Sequence, residues 1–179
     1  MKIRFLFLTL FFTFCFSSIG QEDPFQQDII EYLNNNGTRD QYSGAFESMF
    51  DVLKQQFSAS EVPQSVWKEL QNDKEKSLDE IVNLLTFAYR NHFTHDEINT
   101  MNEFFSTDAG KQMLKDPSQL STAQNDEIST FFKSDIGIKI EEKKPELSKD
   151  IMEISEHWSR DLFAAKMKNL IELGYSTGH

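Results

Sequence analysis

Cysteine is almost absent. The 179 residues hold one, Cys15, inside an apolar N-terminal segment. With that segment removed no thiol remains, which excludes a cysteine nucleophile, a disulfide framework and a cysteine-based zinc site. A thiol-free chain also suits an oxidising compartment. Cys15 follows Thr13 and Phe14 rather than the small residue that precedes a lipidated cysteine, so no lipid anchor is expected. Glycine and proline are scarce, at 7 and 4, which argues against a turn-rich β protein. Positive charge is also in deficit: 18 Lys and Arg face 29 Asp and Glu, a formal net charge of −11. A nucleic-acid partner needs cations to displace counterions, so none is expected. Anionic membrane surfaces would repel the chain too. Its longest basic cluster, Lys143-Lys144, is flanked by Glu141, Glu142 and Glu146 and reads as a solvated helix face. Neither a nucleophile elbow, nor a glycine-rich phosphate loop, nor a calcium-loop spacing occurs.

What is present begins with a leader. Lys2 and Arg4 precede an almost wholly apolar stretch from Phe5 to Phe16, and Ser18, Ile19 and Gly20 follow with small residues suited to a signal peptidase. The apolar run is shorter than the roughly 20 residues that span a membrane. The sequence therefore predicts a signal peptide over residues 1–20, export to the periplasm or beyond, and one domain over residues 21–179. Loss of Lys2 and Arg4 would take the formal charge from −11 to −13.

Downstream, apolar residues recur at helical spacing. Phe25, Ile29, Tyr32 and Leu33 share a face that ends at Asn34-Asn35-Asn36-Gly37, with Gly37 suited to a left-handed cap. Asn36-Gly37-Thr38 is formally a glycosylation sequon. Tyr42, Phe46, Met49, Phe50, Leu53 and Phe57 form the strongest stripe of the N-terminal half. Pro63 suits the first position of a short helix carrying Val66, Trp67 and Leu70. Ser77 with Glu80 reads as a capping box opening a helix with Ile81, Leu84, Leu85, Ala88 and Tyr89 inward; Thr94 with Glu97 reads as a second, before Ile98, Met101, Phe104 and Phe105. From Pro145 to about Leu173 one helix of roughly 40 Å is expected. Its stripe is Leu147, Ile151, Ile154, Trp158, Leu162 and Ala165, extended by Phe163, Met167, Leu170 and Ile171, with Gly174 as cap and Ser176 to His179 as a frayed tail. The fold class is all-α, an irregular bundle closed by that long helix.

A segment recurs within the chain. Phe104-Phe105, Thr107 and Gly110 reappear as Phe131-Phe132, Ser134 and Gly137, with Met101 and Ile128 aligned upstream. Each copy predicts a helix, a tight corner and a second helix. The Phe pair buries the first helix, Thr107 or Ser134 caps the second, and the glycine permits a close approach. Two copies are too few for a solenoid, so they are expected as a duplicated helical hairpin.

Tyr89, His92-Phe93-Thr94, Glu97-Ile98, Phe104-Phe105, Thr107, Gly110 and Lys111 together resemble the bacterial domain of unknown function 2059 family. Phe131 through Lys139 matches the end of that pattern, with the lysine one position late. Pro145 onward, including Glu156-His157-Trp158, is similar to the family's closing helix. Phe105 and Phe132 stand where the family more often has Tyr. The resemblance is strongest over a core of about residues 77–158. It implies an exported, mostly helical bacterial protein and no particular activity.

No catalytic set is evident, and no cofactor or metal is expected. His92, His95 and Asp96 come nearest to a metal cluster, but a helix starting at Thr94 would turn the two rings apart. His92 is then expected at a helix end and His95 in solvent. His157 and Ser159 project about 100° per residue around a helix and do not face each other. The carboxylate pairs Asp79-Glu80, Asp96-Glu97 and Asp126-Glu127 fit helix starts, and Glu141-Glu142 an acidic face. Eleven of the 17 phenylalanines lie beyond the leader. The leading expectation is a non-catalytic envelope module that binds a protein or an apolar ligand in a helix groove. The alternatives are an enzyme using fold-assembled carboxylates and a self-associating structural component.

Overall fold

A computed structural model describes residues 23–177, so the leader expected over residues 1–20 lies outside the described residues. Within them the backbone forms eight α-helices and two 3-10 turns, and no strand. The helices are α1 (Pro24–Asn35), α2 (Thr38–Gln56), α3 (Gln64–Leu70), α4 (Lys74–His92), α5 (His95–Ser106), α6 (Asp108–Lys115), α7 (Thr122–Lys133) and α8 (Asp135–Glu172). The all-α class with a long final helix is as expected.

Local chemistry sets most boundaries. The Asp23 carboxylate accepts the Phe25 N–H at 3.0 Å, and Pro24 occupies the first turn of α1, where a missing N–H is harmless. Gly37 adopts φ +84° between α1 and α2, the left-handed geometry that a side chain would strain. Thr94 and Glu97 form the expected reciprocal cap of α5: the Thr94 hydroxyl accepts the Glu97 N–H, and the Glu97 carboxylate accepts the Thr94 N–H. Ser121 and Gln124 form an equivalent cap on α7.

Other boundaries differ from expectation. Ser77 and Glu80 cap nothing, because α4 begins three residues before Ser77, at Lys74. Ser77 is buried in the helix, donating its N–H to the Asp73 carbonyl at 2.9 Å, while Glu80 points to solvent on the second turn. Asp73 flanks the helix as N-cap without a side-chain bond to it, since both its carboxylate oxygens accept from Lys166. Pro63 sits at the N-cap of α3 rather than at its first helical position. The final helix starts at Asp135, not at Pro145, and its 38 residues give a length of about 57 Å. Pro145 is interior to it. Pro145 and Glu141 are both exposed, so water can serve the Glu141 carbonyl that proline leaves without a helical donor. The ten residues before Pro145 stay helical because Ser134 caps them and Ile136 and Ile140 pack on the core.

Two apolar cores result. One joins α1, α4 and α5 through Ile29, Leu33, Ile81, Leu85, Ile98 and Met101, and takes Trp158 from α8. The other joins α2 and α3 through Phe46, Phe50, Leu53, Phe57 and Trp67, and takes Leu170 from α8. Leu162 packs against both. Each fully buried side chain contributes roughly 1.5–3 kcal/mol. Helix α8 ends in a Schellman motif: Tyr175 donates to the Leu170 carbonyl, Gly174 donates to that of Ile171, and Gly174 takes φ +92°. The tail is not free at Ser176, whose N–H donates to the Ser60 hydroxyl at 3.0 Å.

The two helical corners are built alike. Thr107 alone links α5 to α6, and Ser134 alone links α7 to α8, both in extended backbone. Each hydroxyl accepts the N–H of the glycine three residues on. A Cβ on Gly110 would lie 2.3 Å from the Phe104 carbonyl oxygen, and one on Gly137 would lie 2.4 Å from that of Phe131. The close approach is thus between consecutive helices. The Phe pairs differ in burial. Phe104 and Phe105 are core residues, whereas Phe131 is half-buried, stacked on Phe104 at 3.8 Å, and Phe132 is exposed. No residue of α7 is fully buried because nothing covers its outer side among the described residues.

Gly110→Ala and Gly137→Ala should each destabilise the fold by about 3 kcal/mol or more, because the clash is with backbone and cannot relax by rotamer change. Gly44→Ala, at an exposed position inside α2 with open space around it, should stabilise by up to about 1 kcal/mol. Urea unfolding of the three variants checks both signs.

Candidate functional site

Helices α4 and α8 run antiparallel, and polar contacts fasten them at both ends. At one end the buried Lys166 ammonium donates to the Leu70 carbonyl at 2.8 Å and to both Asp73 carboxylate oxygens at 2.5 and 2.6 Å. At the other, His92 Nε2 lies 2.8 Å from an Asp150 carboxylate oxygen. Between these ends the side chains do not close over one another. Two adjoining cavities, about 340 and 450 Å³, share Leu84 and His157 and form one open groove along the seam. Its walls are Leu84, Phe87 and Ala88 from α4, and Ile154, Trp158 and Leu162 from α8. Phe87 is 64% exposed at its edge. Trp158 is buried, edge-on to Tyr42, with its indole N–H lacking an acceptor among the described residues.

Two other cavities are centred on polar contacts within the fold. The first, about 520 Å³, surrounds the Lys166–Asp73 pair. The second, about 460 Å³, lies beside Tyr42 and Tyr89. Burial pushes the Tyr42 and Tyr89 phenols above their ordinary range, so both stay neutral, and Tyr42 shares a hydrogen bond with Ser155.

The residues singled out by sequence do not converge. His92 stands at the end of α4, as expected, with its side chain 12% exposed. His95 is not free in solvent: it pairs with Asp28 and stacks on Phe25 at 5.0 Å. The rings point to different helices, α8 and α1, and the described residues hold no cluster of three or more His, Cys, Asp or Glu side chains placed for a metal ion. His157 is exposed beside Arg160, and the Ser159 hydroxyl turns to the Glu156 carbonyl. Asp79, well inside α4 rather than at its start, pairs with Arg39 at 2.8 Å. Phe104, Phe105, Phe131, Phe132, Thr107, Ser134, Gly110 and Gly137 make the corners described above, across α5 to α8. Thr94 and Glu97 lie at the α4–α5 corner, where Glu97 also holds Lys139 of α8 at 2.6 Å.

The groove residues were partly hidden in the sequence. Leu84 falls on the inner stripe by spacing but is 37% exposed, because the inward arc of α4 is filled by Ile81, Leu85, Ala88 and Tyr89. Phe87 lies off that stripe, and its signal is an aromatic out of phase with it. Lys166 is buried on α8 although helical spacing gives a charged residue no inward place, while Ile171, inward by spacing, is 55% exposed.

Two outcomes follow from the fastenings. Asp73→Ala leaves the buried Lys166 ammonium without its anion and should cost about 3 kcal/mol, with the Asp73→Ala/Lys166→Met double variant recovering part of that loss. Burial raises the Glu97 carboxyl, but its bonds to Lys139 and to the Thr94 N–H outweigh this and leave it below the ordinary carboxylate range. A lowered folded-state pKa stabilises the fold above the unfolded value, about 4.3, and that contribution is lost as pH falls through the folded pKa. Chemical denaturation across that acidic range should show a shallower pH dependence for Glu97→Gln than for the unmodified chain.

The family model described as an uncharacterized protein conserved in bacteria (DUF2059) matches residues 79–125 and 117–165. Those segments take in most of α4, both glycine corners and the α8 wall of the groove. No curated protein and no solved structure matches the chain. Over residues 79–165 the chain belongs to the bacterial domain of unknown function 2059 family.

Proposed function

We propose that this chain is an exported, non-catalytic binding module of the cell envelope, and that the groove between α4 and α8 is where a partner is held. The observation that carries the reading is Phe87, an aromatic side chain 64% exposed at the mouth of an apolar groove. Phe87 does not stand alone, because Leu84 beside it on the same wall is also exposed, and contiguous apolar exposure around a concave groove favours an interaction site. The chemistry around the groove supports binding rather than turnover. Its Leu84, Phe87 and Ile154 supply contact area, while Asp150 at its edge is engaged by His92 and the lining His157 ring is bonded to Arg160.

Export is part of the same proposal. It is supported by the arrangement of Lys2, Arg4, the apolar run and Ser18-Ile19-Gly20. Among the described residues no helix is long and apolar enough to cross a membrane.

A photo-reactive side chain placed at position 87 of the protein in its native host should give a discrete adduct that is absent when the probe sits at the exposed Asp51 of α2. Identical adducts from both positions, or none from either, would remove the binding reading. N-terminal sequencing of the same purified material should begin at Gln21, and a chain beginning at Met1 or Lys2 would remove the export reading.

A further inference from the structure

We propose that the α4–α8 groove receives a cationic amphipathic helix of a partner protein, its apolar stripe on Leu84, Phe87 and Ile154 and its lysines or arginines against the carboxylates at the edges. The inference rests on the binding reading above and names the partner's chemistry.

Charge is the first argument. Among the described residues no lysine or arginine lines the groove, whereas four carboxylates do: Glu80 from α4, and Asp150, Glu153 and Asp161 from α8. Asp150 is engaged by His92, and Asp161 lies 3.6 Å from Arg160 Nε. Glu80 and Glu153 have no ion-pair partner among the described residues, and they stand on opposite walls. An apolar floor with one free carboxylate on each wall matches a ligand that is apolar on one face and cationic on its flanks. An anionic lipid head group would meet repulsion from the same carboxylates. A purely apolar ligand would leave them unused.

Shape is the second argument. The groove runs from Glu80 to Asn91 on α4, about 16 Å at 1.5 Å per residue, which fits roughly three turns of an incoming helix. Two antiparallel helices present parallel ridges with a furrow between them, and a third helix fills such a furrow by ridge-into-groove packing. Helix α8 supplies a rigid wall because Asp73–Lys166 and His92–Asp150 pin it to α4 on either side.

Three model peptides of about 15 residues test this. They share one leucine stripe and carry lysine, glutamine or glutamate on the flanks. Binding to the full chain is read by fluorescence anisotropy. The lysine peptide should bind about tenfold tighter than the glutamine peptide, the glutamate peptide weakest, and the advantage should shrink as salt rises from about 50 to about 300 mM. The Glu80→Lys/Glu153→Lys variant, changed only at exposed positions, should invert the order of the lysine and glutamate peptides. Phe87→Ser should weaken all three, with far-ultraviolet circular dichroism showing the fold intact. If the three peptides bind equally but depend on Phe87, the cationic assignment fails and the groove reading stands. If no peptide depends on Phe87, the groove reading fails as well. If zwitterionic vesicles bind in a Phe87-dependent way and the peptides do not, the occupant is a lipid and the proposal is overturned. A Phe87-dependent homodimer that excludes all three peptides overturns it in favour of a second copy.

Discussion

The structure depends on the docking of α8 along α4. Neither apolar core is complete without α8, which delivers Trp158 to one, Leu170 to the other and Leu162 to both. Most of a helix's stability in a protein comes from the face it buries rather than from its own hydrogen bonds. Here that face is shared between two clusters, so the long helix couples them. Loss of its register would open both at once.

Register along that seam is specified by charge. An apolar stripe is tolerant of sliding, since Leu, Ile and Phe are of similar size and make no directional contact. The buried Lys166 is different. Its ammonium is out of water and must meet the Leu70 carbonyl and the Asp73 carboxylate. A shift of one helical turn would leave it unpaired at a cost of several kcal/mol. His92 with Asp150 and Glu97 with Lys139 repeat the arrangement farther along, each joining α8 to the end of α4 or the start of α5. Polar groups at the ends and apolar groups between them explain why the seam can carry an open groove without coming apart.

The corners solve a second problem, that of turning the chain sharply between packed helices. A single extended residue, Thr107 or Ser134, turns the chain and uses its hydroxyl to satisfy an N–H of the next helix. Glycine is then required by contact, not by backbone conformation, since a Cβ would overlap the preceding carbonyl. The first corner lies under core side chains. The second joins the surface helix α7 to the long α8, so an otherwise similar unit ends in a brace rather than a hairpin of its own.

By itself the sequence determined that the domain is helical, where most helices lie, which residues cap α5, α6 and α8, and which glycines sit at tight corners. These are properties of neighbouring residues, set by periodicity, side-chain-to-backbone bonds and steric size within a few positions. Tertiary structure decided what those rules could not reach. Ser77 matched a cap, yet Asp73 was held by Lys166 from ninety-odd residues away and α4 began earlier. Pro145 signalled a helix start, yet Ser134 and the packing of Ile136 and Ile140 carried the helix through it. Leu84 fitted the inner stripe and Phe87 fitted nothing, because which arc of a helix remains open depends on where the neighbouring helix crosses it. Partners distant in the chain set the groove, its exposed aromatic and its acidic edges. Local spacing carries no record of such partners.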